Sequence, residues 1–234
     1  MGRELPGSIA EHVVLAEGYL HPFPEHLSPV TATLIETLAT VRHAQERAHV
    51  AAGDSVVVLG QGAAGLLHTQ LARLSGAVPV IAVSRSAGKL AMARRMKADH
   101  VVDGSREDVV AAVLDATRGQ GADVVIDAAG VPELIGSAIA MLRPGGRLLV
   151  YGISHRPVPD FSLFPLYFKE LTLYGSRALT PADFEPAIRL VASGAIDVEG
   201  FVTATYPLER APEAFAHYER APESILRLVI GPGE

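Results

Sequence analysis

The sequence predicts an α/β protein built on a doubly wound parallel sheet. Two observations predict it. Short apolar runs alternate with helical segments from Gly53 onward, and a glycine-rich turn leaves the first of those runs. Strands are expected at Ser55–Leu59, Val78–Val83, His100–Val102, Asp123–Asp127, Arg147–Tyr151 and Leu171–Tyr174. Most are continuous apolar runs rather than alternating ones, which suits parallel strands buried on both faces. Helices are expected near 63–75, 86–97, 106–118, 132–142 and 162–169. Strand–helix alternation of this kind argues for parallel crossovers, and about six strands fit an open dinucleotide-binding sheet.

The flanks read differently. Ile9–Ala16 is an apolar-rich strand candidate, followed by a loop with Pro22 and Pro24. Residues 28–50 look helical, with Ser28 as N-cap and Pro29 at the first helical position, where a missing N–H costs nothing. Leu34, Leu38, Val41 and Ala44 follow at helical spacing. Toward the end, Pro181–Ser193 reads as a helix, Phe201–Tyr206 as a strand, Glu209–Tyr218 as a helix and Ser224–Ile230 as a strand.

The turn is Gly60-Gln61-Gly62-Ala63-Ala64-Gly65. It is a G-x-G-x-x-G run that leaves a strand and opens a helix. Gly60 permits the tight turn, Gly62 lets the backbone approach a pyrophosphate, and Gly65 lets helix and strand pack closely. The helix start at Ala63 and Ala64 offers free N–H groups and a partial positive charge to phosphates. The expected ligand is a nicotinamide dinucleotide on a Rossmann fold. About 20 residues further on, an acidic residue at the end of the second strand would bond the ribose 2′-OH of NAD. Ser84 stands there instead, followed by Arg85 and then Lys89. A guanidinium pairs well with a 2′-phosphate, so NADP is favoured over NAD. Ala128-Ala129-Gly130 and Tyr151-Gly152 follow the fourth and fifth strands, where ligands of open parallel sheets sit and small residues let a flat ring approach.

Composition narrows the classes. The formal net charge is −6 and no basic block stands out, so nucleic acid is not an expected partner. No apolar run approaches the roughly 18 residues that span a bilayer, so no membrane partner is expected. Met1–Pro6 lacks the apolar stretch of a secretory signal, and a cytoplasmic protein is expected. Cysteine is absent, so no disulfide or thiolate ligand can form. Nine histidines are scattered without a close metal pair. His43 reads as a helix-packing or capping residue and His155 as a solvent-exposed loop residue.

Gly60–Gly65, Lys89, Asp123–Gly130 and the block Leu142-Arg143-Pro144-Gly145-Gly146-Arg147 together resemble the cofactor domain of zinc-type medium-chain dehydrogenases, in the alcohol, sorbitol and threonine dehydrogenase branch. The likeness runs through the tail, where Phe201-Val202-Thr203 and Tyr206–Ala211 resemble the family's return segment. It implies three regions: residues 1–27 as a remnant of a GroES-like catalytic domain, 28–175 as the cofactor domain with its linker helix, and 176–234 as a C-terminal segment packing on it. Gly7–His12 looks like the last part of that catalytic domain, so the chain resembles a truncated form, a natural short relative or one piece of a split enzyme.

The resemblance further implies an NAD(P)-dependent oxidoreductase moving hydride between an alcohol or carbonyl carbon and nicotinamide. It gives Glu36 and Thr40 as candidate catalytic residues, at positions near the zinc and the nicotinamide. Thr37 stands where the branch usually has proline. It gives Arg227 as a candidate for the pyrophosphate. A zinc site needs three protein ligands and an open position. One glutamate does not supply them, so no metal-ligand set is assigned. Two other functions stay open: an NADP(H)-binding module without turnover, and a zinc-independent reductase of quinones or enoyl compounds. The resemblance also implies a homodimer, or a partner chain, joined across the edge strand Leu171–Tyr174.

Overall fold

The computed structural model describes residues 7–221 and 223–231; Met1–Pro6, Pro222 and Pro232–Glu234 lie outside them. The expectation for Met1–Pro6 therefore falls outside the described residues. The chain divides into two compact units. One runs over Thr37–Asp183; the other joins the segment up to Glu36 to the segment from Phe184 onward.

The Thr37–Asp183 unit holds six parallel strands: β1 (Val56–Leu59), β2 (Val80–Ser84), β3 (His100–Asp103), β4 (Ala122–Asp127), β5 (Leu142–Val150) and β6 (Thr172–Gly175). Their order is β3-β2-β1-β4-β5-β6, the doubly wound arrangement. Between them run α2 (Ala63–Leu74), α3 (Ala87–Arg95), α4 (Val109–Ala116), α5 (Ile135–Met141) and the short α6 (Phe164–Phe168). A long helix, α1 (Pro29–Arg47), leads in.

Each central strand alternates its side chains between two cores. Val57, Leu59, Ile81, Val125 and Leu148 meet Val113 of α4 and Ala138, Ile139 and Met141 of α5. Val56, Val58, Val80, Val124, Ile126 and Leu149 meet Ala44 and Ala48 of α1 and Ala72 of α2. Both faces are covered, which is why these strands read as unbroken apolar runs. Each fully buried Val, Leu or Ile contributes about 1.5–3 kcal/mol.

Side-chain caps set the helix starts. Asp108 accepts from the N–H groups of Val110 (3.0 Å) and Ala111 (3.1 Å), so α4 begins at Val109 rather than at 106. Ser28 accepts from Thr31 N–H (3.0 Å) ahead of α1, as its N-cap reading expects.

The Leu142–Gly146 block departs from the sequence reading. The strand β5 already begins at Leu142, and its pairing with β4 jumps from Ala122↔Leu142 to Val124↔Arg147. The added residues form a tight bulge. A Cβ on Gly121 would lie 2.7 Å from Arg143 N, and one on Gly146 would lie 2.9 Å from Arg143 O. Beside it, the Lys169 ammonium donates to the carbonyls of Ile139 (3.1 Å), Ala140 (2.9 Å) and Leu142 (2.7 Å), capping α5. Partial burial lowers the Lys169 pKa.

The second unit carries a parallel pair, β7 (Val202–Pro207) and β8 (Arg227–Gly231), with α8 (Ala211–Arg220) between them in sequence. A further helix, α7 (Pro181–Ala192), begins in the first unit and continues into this one. Phe201 is fully buried before β7. The strand expected at Ile9–Ala16 does not form. That segment is exposed along its length, with Val14 at 99%, and no described strand pairs with it. Apolar content alone does not make a strand; its backbone groups need a partner edge. No helix among the described residues is long and apolar enough to cross a membrane.

Candidate cofactor-binding site

Where β1 ends, Gly60 takes φ +89° and donates its N–H to Val83 O (2.9 Å). Only glycine takes that conformation without strain. A Cβ there would also lie 3.0 Å from the Cα of Ala129. Gly62 is the exposed residue of the turn and the N-cap of α2, with no side-chain cap. A Cβ on it would meet nothing within 4 Å. Its carbonyl accepts from Leu66 N–H (2.9 Å), which starts the helix. A Cβ on Gly65 would lie 1.8 Å from Gly60 O, so this glycine lets the helix start touch the turn.

The first-turn N–H groups of Ala63, Ala64 and Gly65 have no intrahelical acceptor by helix geometry. They offer free donors and a partial positive charge to an anion at the point where strand order reverses between β1 and β4. The fold's cofactor fits here. The one glycine facing open space is the one a pyrophosphate needs bare, and the others fill with backbone.

Gln61 locks the turn, a role the sequence did not signal. Its buried amide donates to Val58 O (3.1 Å), and its carbonyl accepts from the Thr69 hydroxyl (3.1 Å).

The turns after β4 and β5 are built on Asp127. This carboxylate is 2% exposed and accepts from the N–H groups of Ala129 (3.1 Å) and Gly130 (3.0 Å). Its backbone carbonyl accepts from Tyr151 N–H (3.1 Å) and Gly152 N–H (2.7 Å). Burial pushes the Asp127 pKa up, and the two N–H bonds oppose that. Gly130 has φ +65°, and a Cβ on it would lie 2.8 Å from Ile153 O. A Cβ on Gly152 would lie 2.2 Å from Gly130 N. These two glycines are small because two backbones touch, a packing reason that differs from the ring approach read in the sequence.

Ser84 closes β2, and its hydroxyl oxygen accepts from Ser86 N–H (3.2 Å). Arg85 is exposed, its stem 4.0 Å from the position a Cβ would take on Gly104. Lys89 lies in the first turn of α3, its N–H donating to Ser86 Oγ (3.4 Å). Thr40 and Tyr151 meet hydroxyl to hydroxyl at 2.7 Å, and the Tyr151 ring stands edge-on to His68 at 4.6 Å. His68 is fully buried, its Nδ1 accepting from the Gln45 amide (3.1 Å). Burial lowers its pKa to about 3, so it is a neutral imidazole.

The Thr37–Asp183 unit therefore holds Thr40, the glycine turn, Ser84, Arg85, Lys89, Ala128–Gly130, Tyr151 and Gly152. Glu36, exposed on α1, and Arg227, opening β8, belong to the other unit. His43 places Nδ1 3.2 Å from the buried Asp183 carboxylate, and His155 is exposed. Among the described residues no three His, Cys, Asp or Glu side chains stand close enough to hold a metal ion. These residues do not assemble a zinc site.

Comparison with known proteins agrees with this fold. Residues 63–193 match the model of the zinc-binding dehydrogenase family. The chain is 32% identical over 217 residues to D-arabitol-phosphate dehydrogenase of Enterococcus avium, covering 92% of this chain and 62% of that protein. It is 34% identical over 229 residues to D-xylulose reductase A of Aspergillus oryzae, covering 96% of this chain and 63% of that protein. It thus spans under two thirds of the length of these relatives. A crystal structure from Sinorhizobium meliloti 1021, a candidate zinc-binding dehydrogenase bound to NADP, superposes with a TM-score of 0.77 at 34% identity, over 83% of this chain and 57% of that one. On the fold, the turn and the family match together, the chain belongs to the zinc-binding dehydrogenases, of the zinc-type medium-chain kind.

Proposed function

We propose that this chain carries the nicotinamide-dinucleotide site of an NAD(P)-dependent alcohol or polyol dehydrogenase. The observation that carries the reading is the Gly60–Gly65 turn, with Gly62 bare toward open space and the start of α2 behind it. The names of the D-arabitol-phosphate and D-xylulose relatives support a polyol-type substrate. The bound nicotinamide supplies the hydride chemistry. This chain's residues do the placing. Ala63, Ala64 and Gly65 would hold the pyrophosphate with their N–H groups. Asp127 holds the Ala128–Gly130 turn closed beside it, and Thr40 and Tyr151 border the far end.

The 2′ position is read by Ser84 and Arg85. Neither is acidic, and an exposed guanidinium favours a 2′-phosphate, so NADP(H) is the preferred cofactor. The NADP-bound neighbour supports this. Titration of the chain with NADPH and NADH, followed by nicotinamide fluorescence, tests both levels. NADPH should bind more tightly, and Arg85→Ala should weaken it at least about tenfold, or about 1.4 kcal/mol. Tighter NADH binding would overturn the 2′-phosphate reading and leave the site. Binding of neither nucleotide would overturn the site.

The strand β6 lies at the sheet edge with Leu173 exposed. An open apolar edge invites pairing, and a two-fold contact there would close it. Leu173→Lys should then shift the chain to monomer in sedimentation. An unchanged coefficient would rule out this contact.

A further inference from the structure

We infer that Tyr151 is a positioning residue for the nicotinamide end of the dinucleotide and acts through the Thr40 hydroxyl. The inference rests on the cofactor reading proposed above.

The topology places Tyr151. The sheet is two mononucleotide-binding halves meeting between β1 and β4. In one half β2 lies beside β1, and the residues leaving it are Ser84 and Arg85. In the other half β5 lies beside β4, and the residue leaving it is Tyr151. The two sites are equivalent across the switch point. If Ser84 and Arg85 face the adenosine end, Tyr151 faces the other nucleoside.

The hydroxyl pair has a defined direction. The Thr40 hydroxyl donates to Thr37 O (2.7 Å), one turn back on α1. A threonine hydroxyl has one hydrogen. In the 2.7 Å contact Tyr151 must therefore donate and Thr40 accept. Both hydrogens of the pair are committed, and the Thr40 oxygen retains one further acceptor position. The complement of an acceptor is a donor. The nicotinamide end has donors in its carboxamide NH2 and its ribose hydroxyls. The pair is thus built to orient the ring, not to deliver a proton.

The geometry is held from several sides. Tyr151 N–H is tied to Asp127 O, and its ring is braced on His68 of α2, the helix that opens at the glycine turn. Tyr151 therefore links α1, α2 and the β4 turn around one end of the crevice.

The test uses the full chain with Tyr151→Phe, which keeps the ring against His68 and removes only the hydroxyl. Two ligands are titrated: the reduced dinucleotide that the unaltered chain binds more tightly, and ADP-ribose with the same 2′ substituent, which lacks the nicotinamide ring. The variant should weaken the dinucleotide at least about fivefold, or about 1 kcal/mol. ADP-ribose should change less than about twofold, and the emission of the bound reduced nicotinamide should move toward that in water. Thr40→Val should give the same split and Thr40→Ser should restore it. The threonine pair decides the matter if Tyr151→Phe does not fold. Equal weakening of both ligands, or of neither, would overturn the positioning role while leaving the cofactor site intact. An unaltered chain that binds neither ligand overturns the cofactor site and this inference with it.

Discussion

The turn after β1 and the turns after β4 and β5 all carry glycine, and they use it in opposite ways. After β1, Gly62 is exposed and a methyl group on it would touch nothing within 4 Å. After β4 and β5, Gly130 and Gly152 press backbone on backbone, with a Cβ on Gly152 only 2.2 Å from Gly130 N. The first turn keeps space for a ligand. In the other two the Cβ positions are filled by backbone, and both turns are pinned by one residue, Asp127, through its carboxylate after β4 and its backbone carbonyl after β5. A glycine count alone does not separate these jobs; the space around each Cβ does.

Substitutions can break or sharpen that contrast. The largest effect is expected from Gly152→Ala. Its methyl has no room against the Gly130 backbone, and overpacking of this kind should cost about 3 kcal/mol in urea unfolding. If the cost is negligible, the β4 and β5 turns are looser than drawn.

Next is Asp127→Ala. It strips the acceptor from Ala129 and Gly130 N–H groups and should cost about 2 kcal/mol. Asp127→Asn retains an acceptor oxygen and removes the cost of a buried charge. It should stay within about 1 kcal/mol of the unaltered chain. Equal losses in both variants would remove the anchoring role.

Acid should expose the brace behind Tyr151. The folded His68 pKa of about 3 lies below the ordinary 6.5, so the unfolded chain takes up that proton first. The stability this imidazole contributes is full above pH 6.5 and is lost as pH falls from there toward 3. By pH 5 the loss should reach about 2 kcal/mol. Unfolding of His68→Gln at pH 7 and pH 5 checks it: the variant should lose less on acidification than the unaltered chain.

The smallest stability effect is expected from Gly62→Ala. The backbone there has φ −73°, which alanine adopts freely. Alanine stiffens the unfolded chain but is a poorer N-cap than glycine, so stability should stay within about 1 kcal/mol of the unaltered chain. Dinucleotide affinity should fall at least about tenfold, since the methyl would enter the phosphate space. Unchanged affinity would show that the pyrophosphate lies elsewhere.

Much of the fold was legible because local rules dominate it. Strands buried on both faces read as apolar runs, and Gly60 is demanded by a single positive φ. Legibility fails where a feature depends on residues distant in the chain. Thr40 and Tyr151 are 111 positions apart, and no periodicity links them. Gln45 and His68 meet across two helices, so a buried neutral histidine reads in sequence as one more scattered imidazole. Ile9–Ala16 failed for the converse reason. Its composition suits a strand, but pairing is not a property of one segment. The Leu142–Gly146 block showed its glycines and its proline, yet not that they form a bulge inside β5. Glu36 and Arg227 rest on the resemblance alone, since no local pattern around either residue marks a role.

The cap on α5 makes one amine a timer. The sequence holds three lysines, Lys89, Lys97 and Lys169. Lys97 is exposed, while the Lys169 ammonium is spent on three carbonyls at the junction of α5 and β5. An acylating reagent needs a free amine lone pair, which Lys169 offers only when that junction opens. Its labelling rate, set against that of Lys97 in the same sample, becomes a clock for local opening beside the edge strand β6. Any ligand or second chain that quiets this edge will slow the clock without touching the lysine.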